Sequence, residues 1–372
     1  MALKKRKDGY RCKTFTIDGK KYWVYGKTAE ELRVRVEEKR KEIAEKSFKV
    51  SKDLTVAEYG ERWIENKRNT VKSTTIRSHK IIVKRLCECE IDNAGHRFGD
   101  LKLAVVEPDH VREVQRRLDA RGCHTATTNA TISEARSIFK DAANDRIVSF
   151  NPAAAVKPLK RREEEARDVV HRALTDEEIE KFFETARELN SWYYDMFCLL
   201  ISTGMRAGEA GALKYSDVKD GKITVSRTLT RREDGVFEVG QDAKTKAGKR
   251  SIPLTAAAKE ALERQKRFNI QTKGSSIFSG DHLFFSNFRG GVADSNHVSE
   301  QIRHICKKAG IQSFGAHAFR DTFATRAAAS GMQPKTLQEI LGHSDISITM
   351  NLYTHVLEDR KVEEMNKVNI AI

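Results

Sequence analysis

The chain has 372 residues, enough for two or three domains with cores of their own. A third of the residues (33%) are charged and the net charge is +15, a balance that suits a polyanionic partner and argues against a membrane protein. The longest apolar run, Met196 to Ile201, is far too short to span a bilayer, and the basic N-terminus lacks the apolar stretch of a signal peptide. A cytosolic protein is expected. The positive charge is uneven: residues 1–27 carry nine Lys/Arg against two Asp, a net +7. Six cysteines are scattered, and Cys87-x-Cys89 has no second pair at zinc spacing, so they read as buried free thiols of a reducing compartment.

In chain order, residues 10–25 read as two short strands around Asp18-Gly19, a strong hairpin signal between runs rich in aromatic and β-branched residues. Thr28-x-x-Glu31 is a capping box that starts a charged helix running to about Lys46. A basic hairpin followed by a helix suits a DNA-reading module. A second capping box, Thr55-x-x-Glu58, opens a helical unit with helices predicted over 55–67, 73–89, 108–120 and 125–146. Ile76, Val83 and Leu86, and then Ile132, Ala135, Ile138 and Phe139, supply the 3.6-residue period. Lys72, Arg77, Lys80 and Lys84 give that unit helix faces against which a phosphate backbone can lie. Phe150-Asn151-Pro152 stops its last helix. Val156 to Arg172, with Pro158 and the run KRREEEAR, reads as a linker from its charge and lack of period.

A third capping box, Thr175-x-x-Glu178, begins the last unit. Helices fit 176–188 and 192–202, and Ser202-Thr-Gly-Met-Arg206 leads into a helix carrying Glu209 and Leu213. Lys222 to Thr228 and Arg250 to Leu254 alternate like strands, with a basic turn, Lys244-Thr-Lys246-Ala-Gly248-Lys249, between them. Helices follow over 255–268, 294–309, 317–330 and 334–341. The predicted boundaries are 1–50, 51–160, a linker over 161–172, and 173–372.

The chemistry-bearing residues gather late. Arg206 and Arg320 can offer two guanidinium forks to the charge that builds on a phosphodiester under attack, bidentately, as an ammonium cannot. Lys244 or Lys246, on the basic turn, fits the acid that protonates a departing sugar oxygen. Tyr353 is the candidate nucleophile; its free pKa of about 10 calls for a base or a cationic site, and His317 and His343 fill the base and hydrogen-bonding roles. The protein's own cations can meet this charge, so neither metal nor cofactor is required. Each piece alone is weak, since a His-x-x-Arg pair arises about once by chance at this composition.

The joint pattern is specific. ISTGMRAGEAGAL (201–213), AKTKAGKRSIPL (243–254), HAFRDTFAT (317–325) and LGHSDISITMNLYTHV (341–356) occur in the order and at the spacings of the tyrosine recombinase (phage integrase) family. Through them the sequence resembles the integrases of Gram-positive phages and conjugative transposons. The resemblance implies a multidomain, mainly α protein. It would comprise a small sheet-plus-helix arm-binding domain, a helical (SAM-like) core-binding domain and a mixed α+β catalytic domain. It implies Arg206, His317, Arg320, His343 and the nucleophile Tyr353 as catalytic residues, with Lys244, the lysine of Lys-Thr before Ile-Pro-Leu, favoured over the alternative Lys246, and a structural Glu209. Lys246 and Lys249 join the DNA-contacting residues. The partners implied are double-stranded DNA with core and arm-type attachment sites, and three further copies in a tetramer. An excisionase or host DNA-bending protein would complete the set. The activity implied is site-specific recombination through a 3′-phosphotyrosyl intermediate and a Holliday junction, without ATP or metal. A type IB topoisomerase uses similar residues, but the basic N-terminal module argues against it. A chromosome-dimer resolvase usually lacks that module, which favours a mobile element. Val356, Leu357, Val362 and Met365 suggest a tail helix.

Overall fold

The computed structural model describes residues 11–17, 20–162, 165, 172–240, 248–273, 282–350 and 353. It divides into two compact units between Glu165 and Ala166. The expected tail helix and the lysines Lys244 and Lys246 lie outside the described residues.

The first unit begins with strands β1 (Arg11–Ile17) and β2 (Lys20–Gly26), paired antiparallel with Ile17 opposite Lys20. Alternation sends Val24 inward against Leu32 and Val36 of helix α1 (Ala29–Lys52), with Phe15 beside them, and leaves Trp23 and Tyr25 exposed. Thr28 caps α1 by accepting from the Glu31 N–H at 3.1 Å. The helix runs to Lys52, fewer than two turns beyond the expected end near Lys46.

Among the described residues the rest of the unit is built mainly on four α-helices: α2 (Val56–Lys67), α3 (Ser73–Cys87), α4 (Pro108–Ala120) and α5 (Thr125–Asn144). Thr55 and Glu58 make the predicted reciprocal cap on α2. The apolar stripes meet in one core: Trp63 and Ile64 from α2, Ile76, Val83 and Leu86 from α3, Val111 and Val114 from α4, Ile138 and Phe139 from α5. Each such side chain, fully buried, contributes roughly 1.5–3 kcal/mol. Three of the polar side chains drawn in with them are paired: Trp63 Nε1 donates to Asp141 at 2.7 Å, Tyr59 to Asp145 at 3.2 Å, and His79 meets Glu134.

The stretch read as a linker is in part docked structure. Val156 is 2% exposed in the core, Leu159 exchanges two hydrogen bonds with Asn129, and Arg136 holds the Val156 carbonyl. Glu165 is buried and accepts the Thr125 N–H at the start of α5 at 2.8 Å. A carboxylate there satisfies a helix-terminal donor and meets the positive end of the dipole. The charge that looked like a solvated linker is therefore partly a cap supplied from a distance.

The second unit packs α6 (Asp176–Glu188), α7 (Tyr194–Thr203), the short α8 (Ala207–Gly211), α9 (Ala256–Lys273), α10 (Ser295–Ala309), α11 (His317–Ala329) and α12 (Pro334–Leu341) with small sheets. Phe182 sits among Phe197, Phe314 and Phe319 with ring centroids 5.2–5.5 Å apart. Strands β3 (Val218–Lys219), β4 (Lys222–Val225) and β7 (Arg250–Pro253) form one antiparallel sheet with Val225 opposite Arg250. The first of the two predicted strands is shorter than Lys222–Thr228. A second hairpin, β5 (Leu229–Arg231) and β6 (Phe237–Val239), was not anticipated. Its signal was the Asp234-Gly235 dipeptide, where Gly235 takes φ 89. The mainly α multidomain architecture stands.

All six cysteines are free. Cys89 and Cys306 are buried as expected, whereas the other four are partly exposed, which corrects the expectation of burial for those four. Among the described residues no helix is long and apolar enough to cross a membrane.

Candidate active site

The second unit brings four of the expected residues together. Helix α7 ends at Gly204, which takes φ 65, and the chain turns so that Arg206 sits at the N-cap of α8. Only glycine suits this turn, because a Cβ would lie 2.5 Å from Phe323 Cδ1. The turn aims the Gly204 carbonyl at Arg320, one helical turn along α11 from His317. Arg320 is 2% exposed; Nη1 donates to Gly204 O (2.8 Å) and Nη2 to Leu341 O (2.7 Å). It therefore ties α7 to the end of α12. Helix α12 closes at Gly342 in the left-handed conformation, with the Gly342 and His343 N–H groups both donating to Gln338 O. That closure delivers His343, whose Nδ1 lies 3.0 Å from the buried Thr349 hydroxyl.

The electrostatics are those of an anion site. Burial, then the nearby Arg206 and Arg250 charges, pushes the Arg320 guanidinium down to about 9, so it is charged at neutral pH yet short of counter-charge. Burial followed by Arg320, Arg206, His317 and Arg250 pushes His343 down to about 4. His343 is thus a neutral hydrogen-bonding group at pH 7. His317 is 45% exposed, with Nε2 3.6 Å from Asp321 Oδ1.

Glu209, which the resemblance marks as structural, holds two guanidinium groups here. Its carboxylate is 6% exposed and takes Arg206 Nη1 at 2.9 Å and Arg250 Nη2 at 2.8 Å. Burial raises its pKa, but the Arg250 hydrogen bond and the two charges outweigh that and hold it below the usual carboxylate range. Arg250 and Thr349 were missed as site residues. Arg250 was visible in sequence only as the first residue of a strand.

Tyr353 is not gathered with the others in this structure. It is 6% exposed among Ala324, Ala327, Ala328, Leu337 and Leu341, its hydroxyl donates to the Met332 carbonyl, and burial pushes its pKa up. Of the two means of activation expected for this phenol, a base or a cationic site, the second does not lower its pKa in this arrangement.

Of the expected DNA contacts, Lys246 lies outside the described residues. Lys249 is exposed just before β7. In the first unit Lys72 precedes α3, and Arg77, Lys80 and Lys84 share one flank of it, Arg77 half-buried and both lysines exposed. Lys80 and Lys84 also line a groove of about 520 Å³ against Glu61, Glu65 and Glu88, so that flank is of mixed charge. Among the described residues no group of three or more His, Cys, Asp or Glu is placed to hold a metal ion.

Residues 172–360, a little over half of the chain, match the Phage integrase family. The chain belongs to this family of tyrosine recombinases. It is 26% identical over 365 residues to a tyrosine recombinase XerC-like protein of Caldanaerobacter subterraneus subsp. tengcongensis, covering 93% of this chain and 90% of the relative. To the transposase from transposon Tn916 of Enterococcus faecalis it is 26% identical over 349 residues, 91% and 83% of the two chains. The fold is that of the Tn1549 transposon integrase solved in complex with a circular intermediate DNA: TM-score 0.71, 24% identity, 85% of this chain and 100% of that one. A lambda integrase tetramer bound to a Holliday junction shares it at TM-score 0.59 and 19% identity, each chain covered to 94%. As a member of this family the chain is a DNA strand-cleaving and rejoining enzyme of site-specific recombination.

Proposed function

We propose that the chain is the integrase of a bacterial mobile element, acting in the cytoplasm on attachment-site DNA through Tyr353. The observation that carries this is the anion site: Arg206, Arg320, His317 and His343 converge in one unit that also contains Tyr353. Arg206 and Arg320 meet the non-bridging oxygens of the scissile phosphate, where charge grows during attack. His317 takes the Tyr353 proton, and the neutral His343 donates a hydrogen bond. The Tyr353 oxygen bonds to phosphorus as the bond to the 5′ oxygen breaks. That oxygen leaves as a hydroxyl with a proton from Lys244 or Lys246. A 5′ hydroxyl of the partner strand then reverses the step on the phosphotyrosine, so the bond energy is conserved. To react, the phenol exchanges the Met332 carbonyl for the phosphate.

In this reading residues 1–50 bind arm-type sites, with Trp23 and Tyr25 on the face the sheet leaves open. Residues 51–160 and 173–372 hold the core site, 161–172 join them, and four copies act on two duplexes. An excisionase or a host DNA-bending protein sets direction. The test is a plasmid carrying two attachment sites, incubated in EDTA without nucleotide. Deletion of the intervening DNA is expected. Relaxation of a plasmid with no attachment site, without deletion, would instead mark a topoisomerase.

A further inference from the structure

Arg250 opens β7 directly after the basic turn, and its side chain is 5% exposed. Its two Nη atoms donate to the two oxygens of Glu209 at 3.1 and 2.8 Å, and its Nε donates to the Ile340 carbonyl at 2.5 Å. The same carboxylate accepts the Arg206 side chain at 2.9 Å and the Arg206 backbone N–H at 3.0 Å. Of the two guanidinium groups on Glu209, only that of Arg206 is open to solvent, at 40% exposure. Ile340 adjoins Leu341, whose carbonyl Arg320 grips, and His343 follows two residues later. Arg250 thus sits one hydrogen bond from the anchor of Arg206 and one residue from the anchor of Arg320.

We propose that Arg250 is a positioning residue for strand cleavage: it fixes the Glu209 carboxylate that aims Arg206 at the scissile phosphate, and ties it to the end of α12 that leads into His343. This rests on the reading of Arg206 as a phosphate ligand. Stability alone is a weak reason for such an arrangement, since buried ion pairs are often matched by packed apolar side chains. What a planar fork supplies is direction, fixed at three acceptors at once. A lysine keeps the charge and loses that geometry.

The experiment uses the full chain and a labelled nicked duplex spanning the joined ends of the element that encodes it. First-turnover formation of covalent adduct is measured at saturating DNA. Two variants are compared with wild type: Arg250→Lys, and the double variant Arg250→Met with Glu209→Gln, in which neither partner is left as an unpaired buried charge. Adduct formation should slow about 10- to 100-fold, as a small misplacement of a catalytic cation does. DNA affinity should stay within about twofold of wild type. On a duplex with a neutral methylphosphonate at the scissile position, Arg206 has less charge to meet, and the penalty should shrink to within about threefold. A merely structural role slows both duplexes alike. Equal slowing on both, or no slowing on the phosphate duplex, overturns the proposal. A wild type that forms no Tyr353-dependent adduct overturns the catalytic reading beneath it, a separate result that removes this proposal as well.

Discussion

His343 gives the structure a measurable acid sensitivity. Its imidazole is half-buried and faces Arg320, Arg206, His317 and Arg250, so its proton is held only below about pH 4 in the fold. In the unfolded chain the ring titrates near 6.5. Above pH 6.5 both states are neutral and the residue is indifferent to pH. As pH falls towards 4 the unfolded chain takes a proton that the fold refuses, so stability is lost across that window and no further below it. The interval corresponds to about 3 kcal/mol, trimmed to about 2 by solvent at a half-buried ring. Urea unfolding of wild type and His343→Gln between pH 8 and 4 isolates this residue from the other histidines. Wild type should lose about 2 kcal/mol more than the variant between pH 7 and 4. Sulfate, as a phosphate stand-in, should reduce the difference. Parallel pH profiles, or a His343 NMR titration near 6.5, would refute the reasoning.

Three further outcomes follow from the geometry. Gly204→Ala should destabilise the catalytic unit by about 2–3 kcal/mol and slow adduct formation. Its Cβ meets Phe323 at 2.5 Å and Leu341 at 2.8 Å, and its carbonyl holds Arg320; denaturation and single-turnover assays check both. Glu165→Gln should speed hydrogen exchange at the Thr125 amide, because the carboxylate that caps α5 becomes a neutral amide. Lys72→Ala, Lys80→Ala and Lys84→Ala should each reduce the slope of log affinity against log salt by about 0.9 if that lysine neutralises a phosphate. An unchanged slope would remove that residue from the interface.

What the sequence disclosed tracks the range of the interactions involved. The Thr55–Glu58 and Thr175–Glu178 caps are three-residue bonds, and both are in place. The stripes of α3 and α5 are written in one helix each. His317 and Arg320 share a helix, and Gly342 ends another, so the family pattern exposed them. Partners far apart in sequence were hidden. Glu165 caps a helix that starts 40 residues earlier, and Arg250 reaches back 41 residues to Glu209. The β5–β6 hairpin escaped because its strands have three residues each, too few for alternation to register. The Tyr353 hydrogen bond to Met332 is likewise invisible in a motif, which records the residue and not where its hydroxyl rests.

Tyr353 is the residue proposed to attack DNA. Wild type and Tyr353→Phe should be incubated with a nicked, labelled attachment-site duplex in EDTA and resolved on a denaturing gel. A covalent protein–DNA adduct is expected for wild type and none for Tyr353→Phe. The variant should keep its affinity for the duplex and lose about 1 kcal/mol of stability with the bond to Met332. An adduct that survives Tyr353→Phe would mean that another residue attacks, and the catalytic assignment would fall.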